Sequence, residues 1–362
     1  MSDVLVINPG STTTKVAIYA DDALLAEETI DHSVDELAKF SGIIPQKEFR
    51  KKAIESFILT SGYHGKFDAI VGRGGLLKPI PGGTFEVDEA MLRDLTEERY
   101  NTHASNLGAI LANEFAEDYQ VQAYIVDPVV VDELQPVARI SGLKGIERRS
   151  VGHVLNQKAT ARFVLNQNQK DYQNSNVIVA HLGGGISIGA HRQGKIIDMV
   201  NGLDGEGPYT PERTGGLPLV DFAEKIVTEQ LTMPQIKKIL AGQGGLNSYL
   251  HEIDLRKIET EMLSGDQEAA YYWEGMCYQI QKAIGEMAAV LEGRIDFIIL
   301  TGGMAHSERL TKRIASHVSW IAPVEIVPGA MEMQALFEGV KRVLTGEEAA
   351  QRYETEEVSK VW

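Results

Sequence analysis

The chain is poor in cysteine and has no long apolar run. Its 362 residues include one cysteine, Cys277, which excludes an internal disulfide and a cysteine-based metal site. The helical pattern around Cys277 predicts a small buried core residue. No apolar run approaches the roughly 18 residues that a membrane span needs. The N-terminus lacks the basic and apolar segments of a secretory signal, so we expect a cytoplasmic protein.

Positive charge is also scarce. The chain has 35 Lys and Arg against 51 Asp and Glu, for a formal net charge of −16. This balance argues against nucleic acid as the main partner, although a few local cations suffice for a small anionic ligand. With 43% hydrophobic residues, a chain of this length is expected to form two domains with sizeable cores.

The stretch at residues 4–19 predicts two strands joined by a polar turn. Residues 4–7 are apolar, Pro9 and Gly10 signal the turn, and several hydroxyl side chains precede Lys15. Backbone N–H groups, hydroxyls and one cation suit the oxygens of a phosphate. The spacing is not that of a Walker loop, and a strand follows instead of a helix. Taken alone, this stretch is better interpreted as an ordinary hairpin.

A second copy of the pattern changes that interpretation. Residues 177–190 again give an apolar strand, a glycine turn and a second strand. The halves also share a third strand at 23–28 and 195–200, and a strand closed by paired glycines at 68–75 and 296–303. The repeat predicts two similar domains facing each other across a nucleotide cleft. Glycine turns allow the backbone to approach phosphate closely.

Four further residues have both a functional and an ordinary interpretation. Arg73 follows a buried strand and either lines a cleft or lies in a mobile surface loop. Asp127 ends a predicted strand and is either a site carboxylate or, more commonly, a turn or cap residue. His153 precedes a helix and either reaches a cleft or caps that helix. Arg213 lies in a long glycine-rich loop at 202–218, which is either functional or disordered.

Together these motifs resemble those of the acetokinase family, within the acetate and sugar kinase/Hsp70/actin superfamily, over essentially the whole chain. The matching segments are two phosphate loops at 7–15 and 181–185, two arginine segments at 71–75 and 210–215, a histidine segment at 152–153 and an adenosine-side turn at 301–303. The resemblance implies an α/β fold with two ribonuclease-H-like, actin-like ATPase domains. Each domain would have a five-stranded mixed sheet flanked by helices, with a hinge between the domains.

The resemblance also implies the domain limits, the assembly and the reaction. The first, acyl-substrate domain would cover 1–153 plus a C-terminal helix at about 333–362, and the second, nucleotide-side domain 154–332. A homodimer or a higher homo-oligomer is expected. The γ-phosphoryl group of ATP would pass directly to a short-chain carboxylate, most favourably butanoate, giving an acyl phosphate. A carboxylate needs no general base at neutral pH, but charge must be compensated as the phosphoryl group moves.

The implied site residues suit this chemistry. Arg73 and Arg213 would offer planar donor forks, and His153 a hydrogen bond, to the transferred group. Mg²⁺ would be held through Asp127 and Glu332, with Asn8 contacting its waters or the phosphate. His181 would face the phosphates or orient its loop. The implied nucleotide-binding residues are Asn8, Gly10, Ser11, Thr12, Lys15, His181, Gly183, Gly184, Gly185, Gly302 and Gly303.

Three alternatives stay open from the sequence. One methylene in an apolar pocket changes affinity by only about 1–3 kcal/mol, so acetate, propionate or a branched-chain acid are competing substrates. A kinase for a hydroxyl substrate would use Asp127 as base, although paired arginines favour an anionic acceptor. A non-catalytic or slowly hydrolysing ATP-binding switch is the rival from another class. Neither nucleic acid nor a membrane is an expected partner.

Overall fold

The computed structural model describes residues 2–203 and 205–353. The chain forms two compact units, which we call the first unit (Met1–Asp132 with Met331–Trp362) and the second unit (Glu133–Ala330). The family resemblance predicts that residues 133–153 belong to the first domain, whereas in the structure they are part of the second unit. Gln135 N–H donates to the carbonyl of Ile197 at 2.9 Å. The C-terminal helix expected at about 333–362 is shorter in the structure, because it ends at Leu344 and a two-residue strand follows at Gln351–Arg352. Positions 354–362 lie outside the described residues.

Twelve strands and twelve α-helices occur within the described residues. The strands are β1 Val4–Pro9, β2 Thr13–Ala20, β3 Ala23–Asp31, β4 Ala69–Arg73, β5 Thr84–Glu86, β6 Gln122–Val126, β7 Asn176–Leu182, β8 Ile186–Arg192, β9 Lys195–Val200, β10 Phe297–Gly302, β11 Val324–Pro328 and β12 Gln351–Arg352. The helices are α1 Val34–Leu37, α2 Lys47–Thr60, α3 Glu89–Thr96, α4 Asn106–Tyr119, α5 Val154–Gln167, α6 Leu219–Thr228, α7 Met233–Leu240, α8 Leu246–Leu250, α9 Leu255–Leu263, α10 Gln267–Val290, α11 Glu308–Val318 and α12 Glu332–Leu344. Short 3₁₀ turns lie at Ile44–Gln46, Pro136–Arg139, Tyr172–Asn174 and Gly303–His306.

Both units are built on the same five-stranded plan. In the first unit β1 pairs antiparallel with β2 and parallel with β4, while β3 and β6 flank this core. In the second unit β7 pairs antiparallel with β8 and parallel with β10, flanked by β9 and β11. The predicted repeat and the ribonuclease-H-like fold are therefore confirmed.

The first sheet is larger than the five strands expected. Its order is β12-β5-β6-β4-β1-β2-β3, against β11-β10-β7-β8-β9 in the second unit. The extra strand β5 pairs antiparallel with β6, and β12 pairs parallel with β5. Both additions are very short, so period-2 alternation could not reveal them.

Packing on the first sheet decides where its site residues lie. All six residues of β1 are buried, as the continuous apolar run predicts. Helix α12 packs across β1, β4 and β6, and Phe337 of this helix stacks on Tyr19 of β2 at 4.1 Å between ring centroids. The N-terminus of α12, with Glu332 as its first residue, is thereby anchored to the first unit.

The second core is organised around the long helix α10. Its buried face includes Trp273, Met276 and Cys277, which confirms Cys277 as a core residue. Burial raises the pKa of the Cys277 thiol well above its ordinary value. Ser307 caps helix α11 by accepting the Leu310 N–H at 3.0 Å. Among the described residues, every helix falls short of the length or apolarity that crossing a bilayer requires.

Candidate active site

Three of the predicted site residues lie at one edge of the first sheet. Strands β1, β4 and β6 are parallel neighbours, so their carboxyl ends meet at the same edge. Asn8 lies near the end of β1, Arg73 ends β4, and Asp127 directly follows β6. The register pairs Ile7 with Gly72, and Arg73 with Val126. The fold thus brings together residues that are far apart in the sequence.

Glu332 joins Asn8 and Arg73 in a hydrogen-bonded cluster. Arg73 Nη1 donates to Glu332 Oε1 at 2.9 Å and to Asn8 Oδ1 at 3.4 Å. Asn8 Nδ2 donates to Glu332 Oε2 at 2.7 Å. The side chains of Arg73 and Glu332 are 21% and 15% exposed, so the ion pair is partly shielded from water. Among the described residues Arg73 donates only through Nη1, which leaves the N–H groups on Nη2 and Nε for a ligand.

Asp127 makes the turn contacts that the sequence analysis considered as an alternative. Its Oδ1 accepts the Gly83 N–H at 2.8 Å, and its own N–H donates to the Gly83 carbonyl at 3.0 Å. The residue is 4% exposed and has a left-handed φ of 38°. Such a backbone is uncommon outside glycine and persists only where surrounding contacts hold it. Asp127 is therefore rigidly placed at the strand edge.

Arg50, which the sequence motifs did not identify, supports the first phosphate loop from its buried side. Gly10 N–H closes the turn onto the Thr13 carbonyl at 2.8 Å, and Ser11, Thr12 and Lys15 are exposed. Arg50 of α2 is fully buried and donates to several carbonyls of this loop. The available signal was a cation placed four residues before Ile54 on the apolar face of the helix.

The second phosphate loop packs against Arg213. Residues 183–185 join β7 and β8, and Thr210 Oγ1 donates to the Gly184 carbonyl at 2.7 Å. Arg213 Nη1 donates to the Gly202 carbonyl. A Cβ on Gly185 would lie 2.2 Å from Arg213 Nη1 and 2.6 Å from the Gly202 carbonyl oxygen, so only glycine fits. Within the described residues, Arg213 Nε is buried without a protein acceptor, so it is available to an oxygen of a ligand or of water.

Two of the predicted histidines meet in the second unit. The rings of His153 and His181 stack with centroids 4.5 Å apart. His153 caps α5, because its Nδ1 accepts the Asn156 N–H at 3.4 Å. The buried Asn156 lies 3.0 Å from His181 Nδ1 and donates to Thr301 Oγ1 at 3.1 Å. Sequence reasoning missed Asn156, which orients His181.

The glycines after β7 and β10 line one cavity. Gly302 has a φ of +92°, and a Cβ there would lie 2.4 Å from the Leu182 carbonyl oxygen. This turn leads into Gly303, which borders a cavity of about 860 Å³ together with Gly183 and Gly184. That volume is in the range of small-molecule and cofactor sites. The structure thus brings the predicted second phosphate loop and the adenosine-side turn to the same cavity.

The predicted magnesium residues suit a hydrated ion better than a closed protein cage. Among the described residues, no three His, Cys, Asp or Glu side chains are grouped tightly enough to hold a metal. Mg²⁺ ordinarily takes only one or two protein carboxylates, and water and substrate phosphates complete its shell. Glu332 and Asn8 in one cluster, with Asp127 at the same sheet edge, are compatible with that arrangement.

The repeated sheets and their glycine loops define an α/β protein of two ribonuclease-H-like units. The crystal structure of Porphyromonas gingivalis acetate kinase matches with a TM-score of 0.77, covering 95% of this chain and 100% of that one at 17% identity. An Enterococcus faecalis protein named "probable butyrate kinase" is 64% identical over 98% of both chains. A Listeria monocytogenes protein of the same name is 47% identical over 97% of this chain and 99% of its own. The Acetokinase family profile matches residues 144–324. The chain belongs to the acetokinase family.

Proposed function

We propose that this protein is a butyrate kinase, which catalyses butanoate + ATP = butanoyl phosphate + ADP by direct phosphoryl transfer. The observation that carries the proposal is similarity at 64% identity, over nearly the full length, to a protein named for this activity. Arginines and glycine loops in the arrangement described above agree with it. Phosphoryl transfer to a short-chain carboxylate is the activity of the family. The proposal adds that the preferred acid has four carbons.

On the acid side, Arg73 binds the carboxylate. Its Nη1 is held by Glu332 and Asn8, so the guanidinium plane is oriented before substrate arrives. The remaining N–H groups then offer two parallel donors, which suits the planar geometry of a carboxylate. The acid is already ionised at neutral pH, so no side chain has to remove a proton. This arrangement favours a carboxylate over the hydroxyl acceptor considered above.

On the nucleotide side, the second unit binds ATP. The cavity beside Gly183, Gly184 and Gly303 receives the nucleotide, and the glycine loop presents backbone N–H groups to its phosphates. Arg213 stabilises charge on the transferred phosphoryl group through its unpaired Nε–H. His153 donates to the same group from Nε2. His181 supports this histidine by stacking and is oriented by Asn156.

The proposal includes Mg²⁺, which Asp127 and Glu332 would hold, with Asn8 beside them. The ion, when bound, neutralises charge on the nucleotide phosphates. Asp127 is suited to this task because the Gly83 contacts fix its carboxylate in place. Glu332 accepts a hydrogen bond from Arg73, so it orients the arginine and would also help to hold the ion.

We also propose a cytoplasmic homodimer. Helices α6 and α7 have no buried residues in the isolated chain, and they expose apolar side chains. The exposed fractions are 83% for Leu219, 80% for Val220, 76% for Val227 and 62% for Met233. Surfaces of this kind are usually covered by a partner, and a second copy of the chain is the partner that the family resemblance implies. Light scattering on the purified protein should give twice the chain mass.

Acyl-phosphate formation tests the reaction. Products are trapped as hydroxamates with ATP and acetate, propionate, butyrate, isobutyrate or valerate, with Mg²⁺ and with EDTA. We expect maximal turnover with a four-carbon acid and none in EDTA. A maximum at acetate would retain the mechanism and refute the substrate. No product with any acid, alongside ATP binding and slow hydrolysis, would instead support the nucleotide-binding switch.

A further inference from the structure

Arg50 is a buried cation that has no acidic partner in the described part of the chain. It is 0% exposed, and no carboxylate lies within ion-pair distance of it among the described residues. Its Nη1 donates to the carbonyls of Gly10 at 2.9 Å and Thr13 at 2.8 Å, and its Nη2 to that of Ser11 at 3.1 Å. A buried charge is costly to maintain without a carboxylate, so all of its hydrogen bonds have to be satisfied in another way.

Two neighbouring side chains accept the remaining hydrogen bonds of the Arg50 guanidinium. Gln46 Oε1 accepts from both Nε at 3.1 Å and Nη2 at 2.9 Å, and Thr14 Oγ1 accepts from Nη1 at 3.0 Å. His32 Nε2 lies 2.8 Å from the same Thr14 hydroxyl. Burial and the charge of Arg50 both lower the pKa of His32, which favours its neutral form. Burial lowers the pKa of Arg50 only to about 10, so the guanidinium stays charged at neutral pH.

The direction of the loop carbonyls determines the direction of its N–H groups. In a trans peptide the N–H of one residue points opposite to the carbonyl of the residue before it. The Gly10 and Ser11 carbonyls point down to Arg50, so the N–H groups of Ser11 and Thr12 point away from it. Both residues are exposed, and neither N–H has a protein acceptor in the described part of the chain.

We propose that Arg50 is a positioning residue, which holds this loop so that the Ser11 and Thr12 N–H groups form a site for the transferred phosphoryl group. The inference rests on the proposed function, and it adds the residue that shapes the first phosphate loop. The two N–H groups and the positive charge beneath them form an anion site of the kind built from successive backbone amides. Arg50 itself touches neither substrate.

The test compares Arg50→Lys with the parent protein. Lysine keeps the charge but has no planar fork, so it cannot hold the Gly10, Ser11 and Thr13 carbonyls together. We expect kcat/KM for ATP to fall by about tenfold or more, towards the roughly 100-fold that complete loss of one oxyanion donor costs. The KM for butyrate should stay within about threefold, because Arg50 acts on the phosphate loop and not on the acid. Added ethylguanidinium should restore part of the activity of Arg50→Ala.

The matched control is Lys51→Met on the same helix. Lys51 pairs with Asp118 at 2.9 Å and faces away from the loop, so this variant should keep full activity. If Arg50→Lys keeps kcat/KM for ATP within about twofold, the inference is wrong. The inference is also wrong if activity declines only in proportion to the unfolded fraction measured by circular dichroism. Arg50 would then stabilise the fold without positioning the loop for catalysis.

Failure of the proposed function has a separate signature. If the parent protein makes no acyl phosphate, Mg-ATP binding by calorimetry still tests the loop. A weaker affinity in Arg50→Lys, with native circular dichroism, would then support the positioning role without the reaction. Equal affinities in Arg50→Lys and the parent would refute it.

Discussion

Substitution of Gly185 by alanine tests how closely the second phosphate loop and Arg213 must fit. The new methyl group would lie 2.2 Å from Arg213 Nη1 and 2.6 Å from the Gly202 carbonyl oxygen. Ordinary contacts begin near 3.5 Å, so the guanidinium has to move by about 1 Å. The Gly202 carbonyl belongs to the backbone and cannot rotate away from the new methyl group. The guanidinium therefore has to move, and Arg213 loses its hydrogen bond to this carbonyl. Displacements of this size at a reacting group reduce turnover about 100-fold, and overpacking costs about 1–3 kcal/mol of folding stability.

Steady-state kinetics and urea unfolding measure the two effects separately. At 25 °C we expect the kcat of Gly185→Ala to fall much further than the fraction of protein that the substitution unfolds would explain. Gly285→Ala is the matched control, because the position is inside α10 and, in the described part of the chain, no atom beyond its chain neighbours and the local helix backbone lies within 4 Å of a Cβ there. Alanine should stabilise that helix by about 0.5–1 kcal/mol and leave kcat unchanged. A Gly185→Ala protein with kcat within about twofold of the parent would refute the assigned role of Arg213.

Two further predictions concern the arginines and a buried histidine. Arg73→Ala and Arg213→Ala should each reduce turnover by at least about 100-fold with an unchanged circular dichroism spectrum. Near-normal turnover in both variants would show that the two arginines do not have the roles assigned to them. Burial, and then the charge of Lys158, lower the pKa of His191 to about 3, so below about pH 6.5 the unfolded chain binds a proton that the folded protein excludes. Stability should therefore fall as pH drops from 6.5 towards 3, by up to about 1.4 kcal/mol per pH unit, and His191→Gln should flatten this slope between pH 7.5 and 5.5 in urea titrations. Parallel slopes in the two proteins would contradict the prediction.

Much of the fold follows from local patterns. The apolar run of β1, the Pro9-Gly10 turn and the second copy at β7 and β8 are properties of short windows. Repetition of the pattern then predicted two similar sheets, and both have the expected five-stranded plan. Helices α9 and α10 begin where their periodicity begins, and Asp266 caps α10 by accepting the N–H groups of Glu268 and Ala269. Such signals depend only on neighbouring residues.

The candidate site was predicted less completely, because its contacts are non-local. Arg73 and Asp127 were noticed as polar residues at strand ends, but their interactions could not be deduced. Glu332 rested on family resemblance alone, and only the packing of α12 brings it to 2.9 Å from Arg73, which is 259 residues away in the sequence. Asn156 looks like an ordinary helix residue until folding places it beside His181 and Thr301.

The sequence by itself determined the repeated strand plan, the two glycine loops, Cys277 as a core residue and the family. These depend on backbone preferences and hydrophobic periodicity, which are written in a few consecutive residues. Tertiary structure alone decided that residues 133–153 pair with the second unit, that Arg50 lies beneath the first loop and that Arg213 seats against Gly185. The reason is physical: a buried charge or a close contact is defined by all the atoms around it, and those atoms come from distant parts of the chain.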